Sequence, residues 1–125
     1  MNGSILMYAA SLVLFGWGIA HLFPTSKVVQ GFGEISIENK RIITMEWIIE
    51  GVALIFVGTL VAVTTILDPT SILGRTIYSS CIVMLNALSV ISMFTGSRNS
   101  HIAFRMCPVI FTGSSILIAV GSILS

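Results

Sequence analysis

Four long apolar runs, separated by short polar interruptions, set the pattern of this chain. The first runs from Ser4 to Phe23 and stops at Pro24. The second runs from Ile42 to Leu67 and stops at Asp68-Pro69. The third spans Thr76 to Phe94, between Arg75 and the polar Thr95-Gly96-Ser97. The fourth spans Met106 to Leu124, with Pro108 placed in its first turn, where a missing N–H costs nothing. Each run approaches or exceeds the roughly 20 apolar residues that cross a bilayer as a helix. No alternation of about ten residues, the mark of a membrane barrel, is present. In hydrocarbon the backbone must satisfy its own hydrogen bonds, so each run predicts a helix. The predicted fold is all-α: a polytopic integral membrane protein, a single domain built as a four-transmembrane-helix bundle, up-down-up-down, multi-pass in the cell membrane.

Composition sharpens this picture. Of 125 residues, 55% are hydrophobic and 9% are charged, against about 25% charged in soluble domains. A net charge of +1 cannot build a phosphate-tracking surface, so nucleic acid is excluded as a partner and the bilayer is the expected one. The first run is too long for a signal peptide. It has no basic n-region and no small-x-small site after it, so it is expected to stay as a helix.

The basic residues predict orientation. Lys27, Lys40 and Arg41 lie between the first two spans, and Arg98 and Arg105 lie between the last two or at their edge. The other side holds Arg75 and the terminal amine. The positive-inside rule then places the first and third loops in the cytoplasm and both termini on the non-cytoplasmic side. The longest loop, Pro24 to Arg41, contains Gly31-Phe32-Gly33 and is expected to form a loop or a short interfacial helix.

The polar residues inside the spans carry the chemistry. Glu46 and Glu50 are four apart on one helical face. Counted from Ile42, they lie about 6 and about 12 Å deep. Ionisable residues within a span are costly, which marks them as functional candidates facing the bundle interior. Pairing of Glu46 with Arg41 or Arg105 is the structural alternative. The same depth arithmetic puts His21 level with Glu46, and puts Trp17 and Asn86 level with Glu50. Asn86 would otherwise be helix–helix glue, and Trp17 and Trp47 interfacial belt residues. Arg41, Arg98, His101 and Arg105 crowd the rim. The polar groups thus gather in the cytoplasmic half, which predicts a pocket rather than a pore.

Glu46, Glu50 and His21 supply hard and borderline ligands that suit several divalent ions, but no His-x3-His or Cys-x2-Cys spacing supports a metal site, so none is assigned, and no cofactor is identified. His21 and His101 both sit near one surface, which disfavours haem. Cys81 and Cys107 lie at different depths, too far apart for a disulfide, and read as small apolar residues. Gly16 with Ala20, Gly51 with Gly58, and Ser115, Ala119 and Ser122 with Gly113 and Gly121 nearby mark tight packing seams, within the bundle or in a homodimer.

The first helix ending Gly16-Trp17-Gly18-Ile19-Ala20-His21-Leu22-Phe23-Pro24, and the second carrying Glu50-Gly51-Val52-Ala53-Leu54 and then Gly58, resemble the DoxX-like group of small bacterial and archaeal membrane proteins. That group's second helix carries a glutamate followed by glycine, leucine and a further glycine. Glu46 or Glu50, Gly51, Leu54 and Gly58 stand at roughly those places, whereas His21 stands where the group often has a lysine-containing motif. The architecture matches over all four spans and the motif over the first two. The resemblance implies a four-helix bundle and, for some members, a link to quinone or thiol redox systems. Membrane-embedded sterol isomerases offer an analogy only: acids, His, Trp and Asn in an apolar cavity that binds a cationic amine.

Four functions follow as expectations. The first is a binding protein whose inner-half pocket holds a small apolar or amphipathic, cationic ligand on Glu46 and Glu50. The second is a proton-coupled transporter of a small molecule or cation, working as a dimer. The third is an isomerase or a quinone- or thiol-linked enzyme with glutamate as acid or base. The fourth is a purely structural protein.

Overall fold

The computed structural model describes residues 2–125. Its helices are α1 (Gly3–Leu22), α2 (Thr25–Gln30), α3 (Ile37–Leu67), α4 (Ile72–Phe94) and α5 (Ile102–Leu124), with a 3-10 turn at Gly96–Arg98 before α5. There is no strand among the described residues. Four of the helices, α1, α3, α4 and α5, are long and apolar enough to cross a membrane. Each also presents large apolar side chains outward, such as Leu12, Phe56, Val83 and Ile116. Apolar surface of that extent suits the hydrocarbon of a bilayer better than water. The arrangement is an all-helical bundle whose four long apolar helices are consistent with a multi-pass membrane protein.

Three helices begin earlier than the apolar runs predict. α3 starts at Ile37, five residues before Ile42, because Ser36 caps it: its Oγ accepts from the Asn39 N–H at 3.1 Å. Glu38 in the first turn suits the positive end of the helix dipole. Lys40 and Arg41 are therefore helical. At 31 residues, α3 is about 46 Å long, more than the roughly 30 Å of hydrocarbon. α4 starts at Ile72, with the Ser71 Oγ accepting from the Gly74 N–H at 3.0 Å. α5 starts at Ile102, so Pro108 lies inside the helix rather than in its first turn. Its missing N–H leaves the Phe104 carbonyl without the usual donor four residues on. The loop after α1 folds into the short helix α2, and Gly33 closes it at φ 72°, a conformation that favours glycine.

α1 is the central helix. Its buried positions include Met7, Ala10, Ser11, Leu14, Gly18 and His21, a stripe at three- and four-residue steps. It packs antiparallel on α3 along one side and on α5 along the other, and α4 packs on α5. Glycines set the close approaches. A Cβ on Gly18 would lie 2.6 Å from the Gly51 carbonyl oxygen, and one on Gly58 would lie 2.8 Å from the Ser11 carbonyl oxygen. Gly121 similarly meets the backbone at Gly3. The Ser11 hydroxyl donates to the Gly58 carbonyl at 2.6 Å across that seam. Gly16 and Gly113 take no part, since nothing lies where their Cβ would be.

α3 and α4 are neighbours in sequence but touch little beyond their hairpin. Asp68 Oδ1 closes that turn, accepting from the Thr70 and Ser71 N–H groups, each at 3.2 Å. Thr65 and Tyr78 share a hydroxyl hydrogen bond of 2.9 Å just inside it. From there the two helices splay toward the end of the bundle that holds α2 and the 3-10 turn. The fully buried core, including Leu14, Val61, Tyr78, Leu85, Phe111 and Ile118, fills the bundle between the hairpin and the splayed end.

Candidate functional site

α1 and α3 cross at Gly18 and Gly51, and the crossing sets the site. A Cβ on Gly51 would lie 3.2 Å from the His21 Cβ, so the imidazole emerges level with Glu50. His21 Nε2 lies 3.5 Å from Glu50 Oε1, the one contact of a basic with an acidic side chain at ion-pair distance among the described residues. The depth count along the sequence puts His21 level with Glu46. That count is one helical turn off because the glycine crossing, not the ends of the apolar runs, fixes the register. Glu46 is exposed and pairs with neither Arg41 nor Arg105.

The His21 ring is held on three sides. Nδ1 contacts the Trp17 carbonyl at 3.2 Å. A carbonyl can only accept, so Nδ1 carries a proton there. Trp47 stacks on the ring at 4.8 Å between centroids and 25° between planes. Trp17 meets it edge-on at 5.9 Å. Trp47 also donates its indole N–H to the His21 carbonyl at 2.5 Å. That carbonyl is one of the last in α1 and lacks an intrahelical donor, so Trp47 caps α1 from α3. Phe104 packs edge-on against Trp47 at 5.5 Å.

His21, Trp47, Phe104 and Cys107 form a wall with a cleft on either side. The first cleft, about 530 Å³, opens between the splayed halves of α3 and α4. Glu46 and Glu50 line it on the α3 side, and Met84, Leu88 and Ile91 face them from α4. The second, about 640 Å³, lies under α2 and the loop before α5, with Trp17, Lys27, Phe32 and His101 in its lining. The Trp17 indole N–H beside it is buried with no acceptor among the described residues. The sequence predicts one pocket, and the structure divides it in two: the Glu46 and Glu50 carboxylates on one side, Trp17, Lys27 and His101 on the other.

Asn86 belongs to neither cleft. Its amide donates to the Ile82 carbonyl and to the Ser115 hydroxyl, each at 2.8 Å, which ties α4 to α5. Ser89 with Thr112 at 2.7 Å repeats this one turn on. Equal depth did not bring Asn86 to Glu50 because Asn86 turns toward α5. Of the rim residues, only His101 lines a cleft. Arg41 and Arg105 are exposed and line neither, and Arg98 lies 6.0 Å from the Phe94 ring centroid.

Sequence reasoning missed two members of the wall. Cys107, expected as a small apolar residue and buried as such, also brings its Sγ, a carboxylate oxygen of Glu50 and a ring nitrogen of His21 within 4.8 Å of one another. Phe104 lies outside the fourth apolar run, which begins at Met106, but inside α5. From Ile102 onward, Phe104, Cys107 and Phe111 fall at helical spacing on one face, a stripe the sequence does contain. Cys81 and Cys107 are both free. Comparison of the chain with models of known families, with curated proteins and with solved structures finds no match.

Proposed function

We propose that this protein binds a small amphipathic cation, which enters the cleft between α3 and α4 sideways from the bilayer. One observation carries this reading. Glu46 and Glu50 both face the cleft, and no lysine or arginine is among its described lining residues. Glu50 has His21, whereas Glu46 has no basic partner. A carboxylate at the edge of hydrocarbon needs a cation, and a ligand's ammonium group supplies one. The apolar wall of Met84, Leu88 and Ile91 suits the ligand's hydrocarbon part. The volume lies within the usual range for small-molecule sites, about 300–1,000 Å³.

In this proposal the splayed end faces the cytoplasm, following the excess of Lys and Arg there. The packed core beyond the cleft favours a blind binding site over a path through the membrane. The DoxX-like resemblance belongs to the same proposal: the adjacency of Glu50 and Gly51 makes Glu50 the better counterpart of that group's glutamate.

A photoreactive long-chain alkylamine tests the reading in liposomes. Crosslinking should fall on the facing stretches of α3 and α4 and be competed by the unlabelled amine. Crosslinks confined to the cleft under α2, or spread evenly over the lipid-facing surface, would contradict it.

A further inference from the structure

His21 comes from α1, Glu50 from α3 and Cys107 from α5, and their donor atoms converge at one point on the wall between the clefts. We propose that these three side chains bind a divalent metal ion of borderline softness, with Zn²⁺ the best match and the fourth position open to the α3/α4 cleft. The site shares Glu50 with the amine-binding reading but does not depend on it.

The donor set is one that zinc favours: an imidazole nitrogen, a thiolate and a carboxylate, with three protein ligands as in open zinc sites. Tetrahedral Zn²⁺ at ordinary bond lengths holds its ligand atoms about 3.3–3.7 Å apart. The His21–Glu50 separation of 3.5 Å already meets this. The set as a whole lies within 4.8 Å, so at most about 1.5 Å of closure remains, within reach of a side-chain rotation.

The surroundings of His21 are those of a metal ligand. Its Nδ1–H is engaged by the Trp17 carbonyl, which directs Nε2 at Glu50 and Cys107. Orientation of a ligand imidazole by a backbone carbonyl is the usual supporting contact at metal sites. Trp47 stacked on the ring fixes its plane. Without a cation or a proton at Nε2, its lone pair would face a carboxylate oxygen. The Cys107 thiol leans toward the Ala103 carbonyl at 3.7 Å, which leaves the sulfur lone pairs free. On binding, the thiol proton leaves to solvent as the sulfur–metal bond forms, and any proton on Nε2 is displaced in the same way. Because the ligands lie on three helices, the ion would also clamp α1, α3 and α5 together.

Cobalt(II) titrated into detergent-purified, chelator-treated protein reads the site directly. The expected result is a thiolate-to-cobalt charge-transfer band in the near ultraviolet, with the intense visible bands of four-coordinate Co²⁺, bleached by added Zn²⁺. Cys107→Ser should remove the charge-transfer band while preserving the helical circular dichroism. Glu50→Gln should weaken Co²⁺ binding at least tenfold, and Cys81→Ser should match the wild type. Absence of the bands from folded wild-type protein would overturn the proposal. So would a charge-transfer band that survives Cys107→Ser or disappears with Cys81→Ser. No organic ligand is present in this experiment, so its failure leaves the amine-binding reading standing.

Discussion

Glu50 Oε1 sits 3.5 Å from His21 Nε2, and two glycines make that contact possible. Gly18 and Gly51 let the backbones of α1 and α3 meet at a distance no side chain would allow. His21 lies one turn beyond Gly18, and Glu50 directly precedes Gly51. The pair is therefore a product of helix packing, which places an imidazole and a carboxylate together on the wall of a cleft.

That dependence gives the first prediction. Gly18→Val would push a branched side chain into the Gly51 carbonyl. Overpacking of this kind costs typically 1–3 kcal/mol. Thermal unfolding in detergent should show a clearly lowered Tm, and Co²⁺ binding should weaken with it because His21 and Glu50 are forced apart. Gly16→Val, at a position with open space around its Cβ, should leave both nearly unchanged. Equal effects at the two glycines would contradict this packing.

Trp47 has two jobs, and they can be separated. Trp47→Phe keeps an aromatic face against His21 but removes the N–H that caps the last turn of α1. Loss of such a hydrogen bond costs about 1 kcal/mol, leaving the His21 carbonyl a long 3.5 Å contact with the Thr25 hydroxyl. Hydrogen exchange should accelerate at the C-terminal turn of α1 and stay unchanged at the α3/α4 hairpin.

Asn86 provides the contrast. Asn86→Ala removes the amide bridge to Ser115, and polar contacts between membrane helices average about 0.6 kcal/mol, with a maximum near 1.7. A small drop in Tm is expected. Binding of a long-chain amine should be unaffected, measured by equilibrium dialysis of the same preparations. A loss of amine binding in this variant would return Asn86 to the site.

The architecture was legible because hydropathy alone decides it. Four apolar runs demanded four helices, and the runs end where α1, α3, α4 and α5 end. Their starts were less legible. Ser36, Ser71 and the approach to Ile102 begin helices that carry Lys40, Arg41, Arg75 and Arg105 within their first five residues, all of which a hydrophobicity count leaves outside the apolar runs. The candidate cluster was half legible. His21, Glu46, Glu50 and Trp47 were visible as polar or aromatic residues at unusual depth. Their partners were not, because depth is one coordinate and rotation about the helix axis is another. Asn86 shared the depth of Glu50 and turned to α5. Cys107 read as apolar packing until the fold brought its sulfur to His21. The division of one expected pocket into two clefts follows from the aromatic wall, which forms only through space.

The central claim is that the carboxylates of the α3/α4 cleft select a cationic head group. Thermal unfolding of detergent-purified protein tests it, with a long-chain alkylammonium beside the alcohol of equal chain length, in wild type and in the Glu46→Gln, Glu50→Gln double variant. A ligand present at a hundred times its Kd stabilises the native state by about 2.7 kcal/mol. The predicted result is a concentration-dependent rise in Tm for the ammonium with wild type alone, and none for the alcohol. Equal shifts from the two compounds, or an ammonium shift that persists in the double variant, would contradict it.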